Sequence, residues 1–301
     1  MPHQKHLKKY RAHIALILIA LIWGTTFPLG KYIIGFVPVF TYLWIRFLLA
    51  ALILLPLSMK SLKKTSKKNV IVALIIGIML FLAFAFQTVG LQYTTAAKVS
   101  FATGLYVVLV PFIYFFLFRT PLRLPAIIGS ILACIGLALL GGDLSGLTEW
   151  DYGVTLVVIC AVFTALQIVG VARYANDIDP LVLAFFQTLV VGLCCLGTAL
   201  FTETIPETFG FWIWFFIIFL AVFATVIAYF VQCWAQKQIN HTAAAIIISL
   251  ESVFGAVLSW IYLDEPFSGM MVIGCVFLFS AMIITQMEPA ADCSTSEQEE
   301  T

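Results

Sequence analysis

Gln87 to Leu140 reads QTVGLQYTTAAKVSFATGLYVVLVPFIYFFLFRTPLRLPAIIGSILACIGLALL, and the chain says something like it twice. Gln87, Leu105, Val108, Pro121, Ile128 and Gly129 align without a gap to Gln232, Leu250, Val253, Pro266, Ile273 and Gly274, at a constant offset (232 − 87 = 145; 274 − 129 = 145). Six identities mean little where apolar residues are so common; the punctuation means more. Each copy runs apolar segment, polar corner, apolar segment, charged or polar turn ending in Pro, then an apolar segment with an early Gly. Upstream, Val37-Pro38-Val39 is echoed by Asp179-Pro180-Leu181 at a slightly shorter offset. A fixed internal period defines the fold, and here it gives two halves.

Composition sets the class. With 62% apolar and 10% charged residues, a soluble globule of 301 residues would have no polar surface to show, whereas a bilayer can cover an apolar one. Each membrane helix needs about 20 apolar residues. The formal charge of +1 argues against nucleic acid as a partner. Spans are predicted at 14–34, 39–57, 70–91, 97–117, 124–141, 153–171, 181–201, 211–233, 242–262 and 268–286. The first is expected to be retained, because Trp23, Pro28 and Lys31 fit a cleaved signal poorly.

The expected fold is an all-α integral membrane protein: ten transmembrane helices arranged as two inverted five-helix repeats. An odd number of spans per half inserts the second half upside down. The expected organisation is a basic cytoplasmic segment (1–13), a first repeat (14–142), an outer connecting loop (143–152), a second repeat (153–287) and an acidic disordered tail (288–301). Charge sidedness supports it. With the N-terminus inside, 13 of the 16 Lys and Arg residues fall on the cytoplasmic side, among them Lys5 to Arg11, Lys60 to Lys68, Arg119, Arg123, Arg173 and Lys237. The positive-inside rule therefore puts both termini in the cytoplasm of a multi-pass inner or plasma membrane protein. The seven cysteines match neither a disulfide framework nor a zinc pattern.

Trp23-Gly24-Thr25-Thr26-Phe27-Pro28 resembles the first-helix signature of the drug/metabolite transporter superfamily, in its EamA-type ten-helix branch. Gly90-Leu91-Gln92-Tyr93-Thr94-Thr95-Ala96 leading to Leu105-Tyr106-Val107-Val108-Leu109-Val110-Pro111 is similar to that branch's third-to-fourth-helix corner. Ser249-Leu250-Glu251-Ser252-Val253-Phe254 followed by Asp264-Glu265-Pro266 is similar to the matching stretch of its second half. The likeness covers almost the whole chain; Ser252 departs from it, standing where the family often has Pro. It implies a transporter, and through the family's exporter majority it implies efflux of amino acids or other metabolites.

The residues make their own case. Pro28 and Pro111 crowd the carbonyls of Gly24 and Val107; Thr25 and Thr26 could satisfy the first, the prolines could be tolerated kinks, as is common in membrane helices, or the breaks could line a cavity. Arg46 and Glu251 are charges within predicted spans, where a charge costs from about 2.5 kcal/mol upward and marks a pathway. The alternative is an ion pair, mutual or local, that never meets cargo. Gln87 and Gln232 are repeat partners. Trp23, Phe27, Tyr42, Phe84, Tyr106, Phe163, Gln167 and Tyr229 lie mid-span, and the Trp and Tyr among them need polar partners that lipid cannot offer. These twelve residues are the expected substrate site. Lys31, Lys98 and His241 lie near span ends and are expected to be structural.

No HExxH, GxSxG, Walker or Rossmann pattern is present, so neither catalysis nor a bound cofactor or metal is expected. A scaffold would not need Arg46 and Glu251. The expectation is a secondary active transporter with alternating access around a central site, exporting amino acids or related small metabolites. A coupling proton or cation, and a monomer or homodimer, are compatible with it. The alternative is an uptake permease for a vitamin or nucleoside-like metabolite.

Overall fold

The computed structural model describes residues 2–119, 124–140, 152–205, 208–264 and 269–286. All but Tyr152 of the expected outer connecting loop, the acidic tail and the prolines Pro121 and Pro266 lie outside the described residues. The described residues are helical with short connections: α1 (Pro2–Ile34), α2 (Val39–Leu62), α3 (Lys67–Tyr93), α4 (Ala96–Gly104), α5 (Tyr106–Phe118), α6 (Leu124–Leu140), α7 (Tyr152–Tyr174), α8 (Pro180–Thr202), α9 (Phe211–Ala221), α10 (Ala228–Ala235), α11 (His241–Ile248), α12 (Leu250–Leu263) and α13 (Gly269–Gln286). A π-helical segment, Val222–Ile227, joins α9 to α10. Eight helical stretches are long and apolar enough to cross a membrane, taking α4 with α5, α9 with α10 and α11 with α12. The protein is thus a multi-pass membrane protein. The shorter α6 and α13, of 17 and 18 residues, occupy the fifth and tenth positions of the expected order.

Local sequence sets the helix ends. Ser66, Thr95 and Asn240 each cap a helix by accepting the N–H three residues on, and Asp179 caps α8 by accepting from Leu181 with Pro180 at the first turn. Pro38 precedes α2 and has no side chain that can cap. A carboxylate from the far end of α8 does so instead. Glu203 accepts from the N–H groups of Phe40 (2.8 Å) and Thr41 (2.7 Å) and from the Thr41 hydroxyl (2.9 Å). At the other end of the same pair, Ser61 donates to Asp179 at 3.1 Å. The two helices therefore run antiparallel.

The packing repeats with the halves exchanged. α2 lies against α8 and α6 against α13, so each of these helices meets its own counterpart. α3 packs on α7, as α10 packs on α1; α12 packs on α1, as α5 packs on α7. Finer marks repeat too. α5 ends on Arg119 (φ 52°) and α12 on Asp264 (φ 54°), two non-glycine residues in the left-handed region, with 264 − 119 = 145.

Both prolines are tolerated within continuous helices. α1 runs through Pro28 and α5 through Pro111. Thr25 and Thr26 return their hydroxyls to the carbonyls of Ile22 (2.7 Å) and Trp23 (2.6 Å), not to Gly24. The interruptions fall instead at Leu105, between α4 and α5, and at Ser249, between α11 and α12, where no Pro stands. α1 begins at Pro2, so the described part of the basic segment 1–13 continues the first span as helix.

Candidate functional site

The core of the bundle is not filled. A cavity lies between the halves, and a smaller one shares Thr26, Phe27, Arg46, Phe84 and Gln87 with it and continues to Gly30, Tyr42, Thr88 and Leu91. The first half brings Trp23 and Phe27 from α1, Arg46 from α2, Phe84 and Gln87 from α3, and Tyr106 from α5 to the larger cavity. The second brings Gln167 from α7, Tyr229 and Gln232 from α10, and Glu251 from α12. Ten of the twelve expected residues therefore share one cavity, and Tyr42 lines the smaller one. Phe163 is not among the lining residues; its ring stacks on Phe86 with centroids 5.9 Å apart.

Arg46 is 1% exposed and surrounded by neutral acceptors. Its Nε donates to Thr225 Oγ1 at 2.8 Å, Nη1 to the Tyr42 hydroxyl at 3.0 Å and Nη2 to the Ala224 carbonyl at 3.4 Å. The rings of Phe47 and Phe84 lie 5.3 and 5.5 Å from its Cζ. Glu251, 7% exposed, accepts the Tyr106 hydroxyl at 3.2 Å. Among the described residues, Arg46 and Glu251 form no ion pair with each other. That removes the mutual pair weighed above and leaves each charge with local neutral partners.

The contact between Tyr106 and Glu251 joins repeat partners, since 251 − 106 = 145. Both stand at the start of the helix that follows an interruption, Tyr106 first in α5 and Glu251 second in α12. Ser252 donates at 2.6 Å to the carbonyl of Ser100 in α4, tying the two interrupted helices together. The wall opposite is a set of buried amides. Gln167 donates to Gln187 at 2.7 Å and exchanges hydrogen bonds with Gln232 at 3.3 Å, while Gln187 is anchored on the Leu183 carbonyl. Gln87 donates to Thr103 at 3.0 Å. Trp23 donates to the Ala224 carbonyl at 2.9 Å and its ring lies 5.4 Å from that of Tyr229.

Several participants escaped the sequence reading. Thr26, Thr103, Cys160 and Thr164 line the cavity, and Thr225 and Gln187 hold its walls. Small hydroxyl residues in apolar helices look like packing, but Gln187 carried the same mid-span signal as Gln167. Lys31, near its span end, donates from Nζ to the carbonyls of Leu91 and Thr94 at the end of α3. His241 stacks on Tyr114 with ring centroids 3.7 Å apart.

A two-repeat helical bundle around a cavity that several buried polar side chains reach is compatible with a membrane transporter. The chain belongs to the EamA-like transporter family, whose model matches it twice, over residues 10–142 and 151–287. This is consistent with the drug/metabolite transporter superfamily. A relative from Archaeoglobus fulgidus, described as an uncharacterized transporter, is 33% identical over 281 residues, covering 93% of this chain and 87% of its own. The uncharacterized transporter YetK of Bacillus subtilis is 26% identical over 293 residues, covering 92% and 87%. A solved protein crystal structure superposes with a TM-score of 0.71 at 18% identity over 91% of this chain and 96% of its own, a likeness of fold.

Proposed function

We propose that the protein is a secondary active transporter of the inner or plasma membrane that exports amino acids or related small metabolites by alternating access around the central cavity. One observation carries the reading: the cavity presents a buried cation and a buried carboxylate that do not neutralise each other. Held in a site shielded from water, each charge is best matched by an opposite charge on a guest. A solute with both an anionic and a cationic group answers Arg46 and Glu251 together, and its apolar part replaces water against Trp23, Phe27 and Tyr229. Glu251 is also where a coupling proton or a second cation would compete with the cargo amine.

The inverted arrangement of the two repeats is part of the same reading. It is supported by the antiparallel contact of α2 with its counterpart α8 and by packing that recurs with the halves exchanged. Ten spans follow if α6 and α13 cross alongside the eight longer stretches. Efflux is what the family resemblance implies. The test is reconstituted protein in vesicles loaded with radiolabelled amino acids, with and without an imposed pH gradient. Protein-dependent release is expected, and Arg46→Ala should bring it to background. Transport of a flat heteroaromatic such as a nucleoside, with no movement of any amphoteric solute, would sink the amino-acid reading and leave only the aromatic walls.

A further inference from the structure

We infer that Thr225 is the positioning residue that sets how tightly the site holds the anionic group of its cargo, acting through Arg46; the inference rests on the amphoteric-cargo reading above. The π-helical segment Val222–Ile227 supplies the geometry. In a π-turn the backbone bonds five residues back, and such turns often mark functional sites. Here the Thr225 hydroxyl donates to the carbonyl of Leu220, five residues earlier, at 3.0 Å. With its proton committed, the oxygen has only lone pairs left, and it accepts the Arg46 Nε–H at 2.8 Å. The same segment turns the Ala224 carbonyl toward α1 and α2, where it accepts from Trp23 and from Arg46 Nη2.

The consequence lies in which N–H each acceptor takes. A guanidinium is a planar fork of five donors. Thr225 holds Nε, the donor nearest the stem, and so fixes the rotation of the plane about the side-chain axis. Nη1 and Nη2 each have a second N–H that these three acceptors do not use. Arg46 lines both cavities, so these spare donors are the seat for a carboxylate. Among the described residues the device occurs once. α3, the counterpart of this span, is α-helical from Lys67 to Tyr93. The residue matching Arg46 at the offset of the Pro38 and Pro180 pair (180 − 38 = 142; 46 + 142 = 188) is Thr188, which donates to the carbonyls of Ala184 and Phe185 in its own helix. Among the described residues, the first half supplies the buried cation of the cavity and the second half supplies the π-turn that sets its orientation.

The test compares wild type, Thr225→Val and Thr225→Ser in vesicles, over a panel of neutral amino acids, together with 15N-arginine NMR of the purified protein. Valine keeps the shape of threonine and removes the acceptor. For an amino acid that the wild type moves, Thr225→Val should raise KM at least ten-fold while the maximal rate stays within two-fold, and Thr225→Ser should restore KM. A fall in maximal rate with KM unchanged, or no effect, would overturn the inference. The NMR arm needs no cargo. The wild type should show one slowly exchanging Nε–H, assigned to Arg46 by its loss in Arg46→Lys, retained in Thr225→Ser and fast-exchanging in Thr225→Val. If the wild type moves no amphoteric solute, the proposed function fails and the NMR arm alone decides the positioning role. An unchanged Arg46 signal in Thr225→Val refutes it.

Discussion

Arg46 and Glu251 are held by different means, and their substitutions should behave differently. Glu251→Gln keeps an oxygen for the Tyr106 hydroxyl, so stability should change by less than about 1 kcal/mol. Arg46→Ala takes away the N–H that the Thr225 and Tyr42 hydroxyls accept, while the Ala224 carbonyl keeps its bond from Trp23, at a cost of about 1–3 kcal/mol. Both should lose transport, measured as release from loaded vesicles normalised to folded protein by size-exclusion yield. Because the two charges do not touch, combining the changes should rescue neither folding nor transport. Recovery by the double variant would show that the pair is coupled after all. At this scale the sequence was most legible where a polar group broke an apolar span or recurred in the repeat: Arg46, Gln167 and Glu251 within their spans and the repeat partners Gln87 and Gln232 near the ends of theirs all reach the cavity. Phe163 strayed because a phenylalanine is equally at home against lipid or another ring. Thr225 was invisible because its role depends on a π-turn, which no Pro or Gly announces.

The α2 and α8 pair is tied at one end by a carboxylate and at the other by a serine hydroxyl. Glu203 meets the second and third N–H groups of α2, where an acceptor satisfies donors the helix itself cannot and where negative charge opposes the helix dipole. Glu203→Ala should therefore cost about 1–2 kcal/mol, seen as a lowered unfolding midpoint in detergent. Glu203→Gln should recover part of it, since the amide oxygen still accepts. An unchanged midpoint in Glu203→Ala would mean that α2 starts without this cap. Helix positions were readable from apolar run length, and α2, α3, α7 and α8 fall close to their predicted limits. The interruptions at Leu105 and Ser249 were not, because proline drew the eye to Pro28 and Pro111, where the helices carry on. What α4 and α11 share is their beginning: Thr95 and Asn240 cap them alike, 145 residues apart (240 − 95 = 145).

For the whole molecule, the sidedness of the basic residues leads to a definite expectation. Cysteines introduced at Ser61 and Asn69 should resist a membrane-impermeant thiol reagent applied to intact cells, and a cysteine at Thr204 should react. Labelling of the first two from outside would reverse the orientation. The duplication was plain in the arithmetic of Gln87 and Gln232, and the double family match over 10–142 and 151–287 agrees with it. At the same offset, 106 + 145 = 251, so the tyrosine and the carboxylate that meet in the cavity occupy one repeat position. A position that touches its own counterpart lies on the axis relating the halves. In a dimer of identical chains such a position meets itself, tyrosine against tyrosine or carboxylate against carboxylate. The second pairing would set two like charges side by side. Once the two copies are separate sequences, as here within one chain, the two sides of the axis can mutate apart, so that a donor faces an acceptor. The Tyr106–Glu251 hydrogen bond is thus a contact that no symmetric ancestor could have made, and splitting the chain back into two like halves would forfeit it.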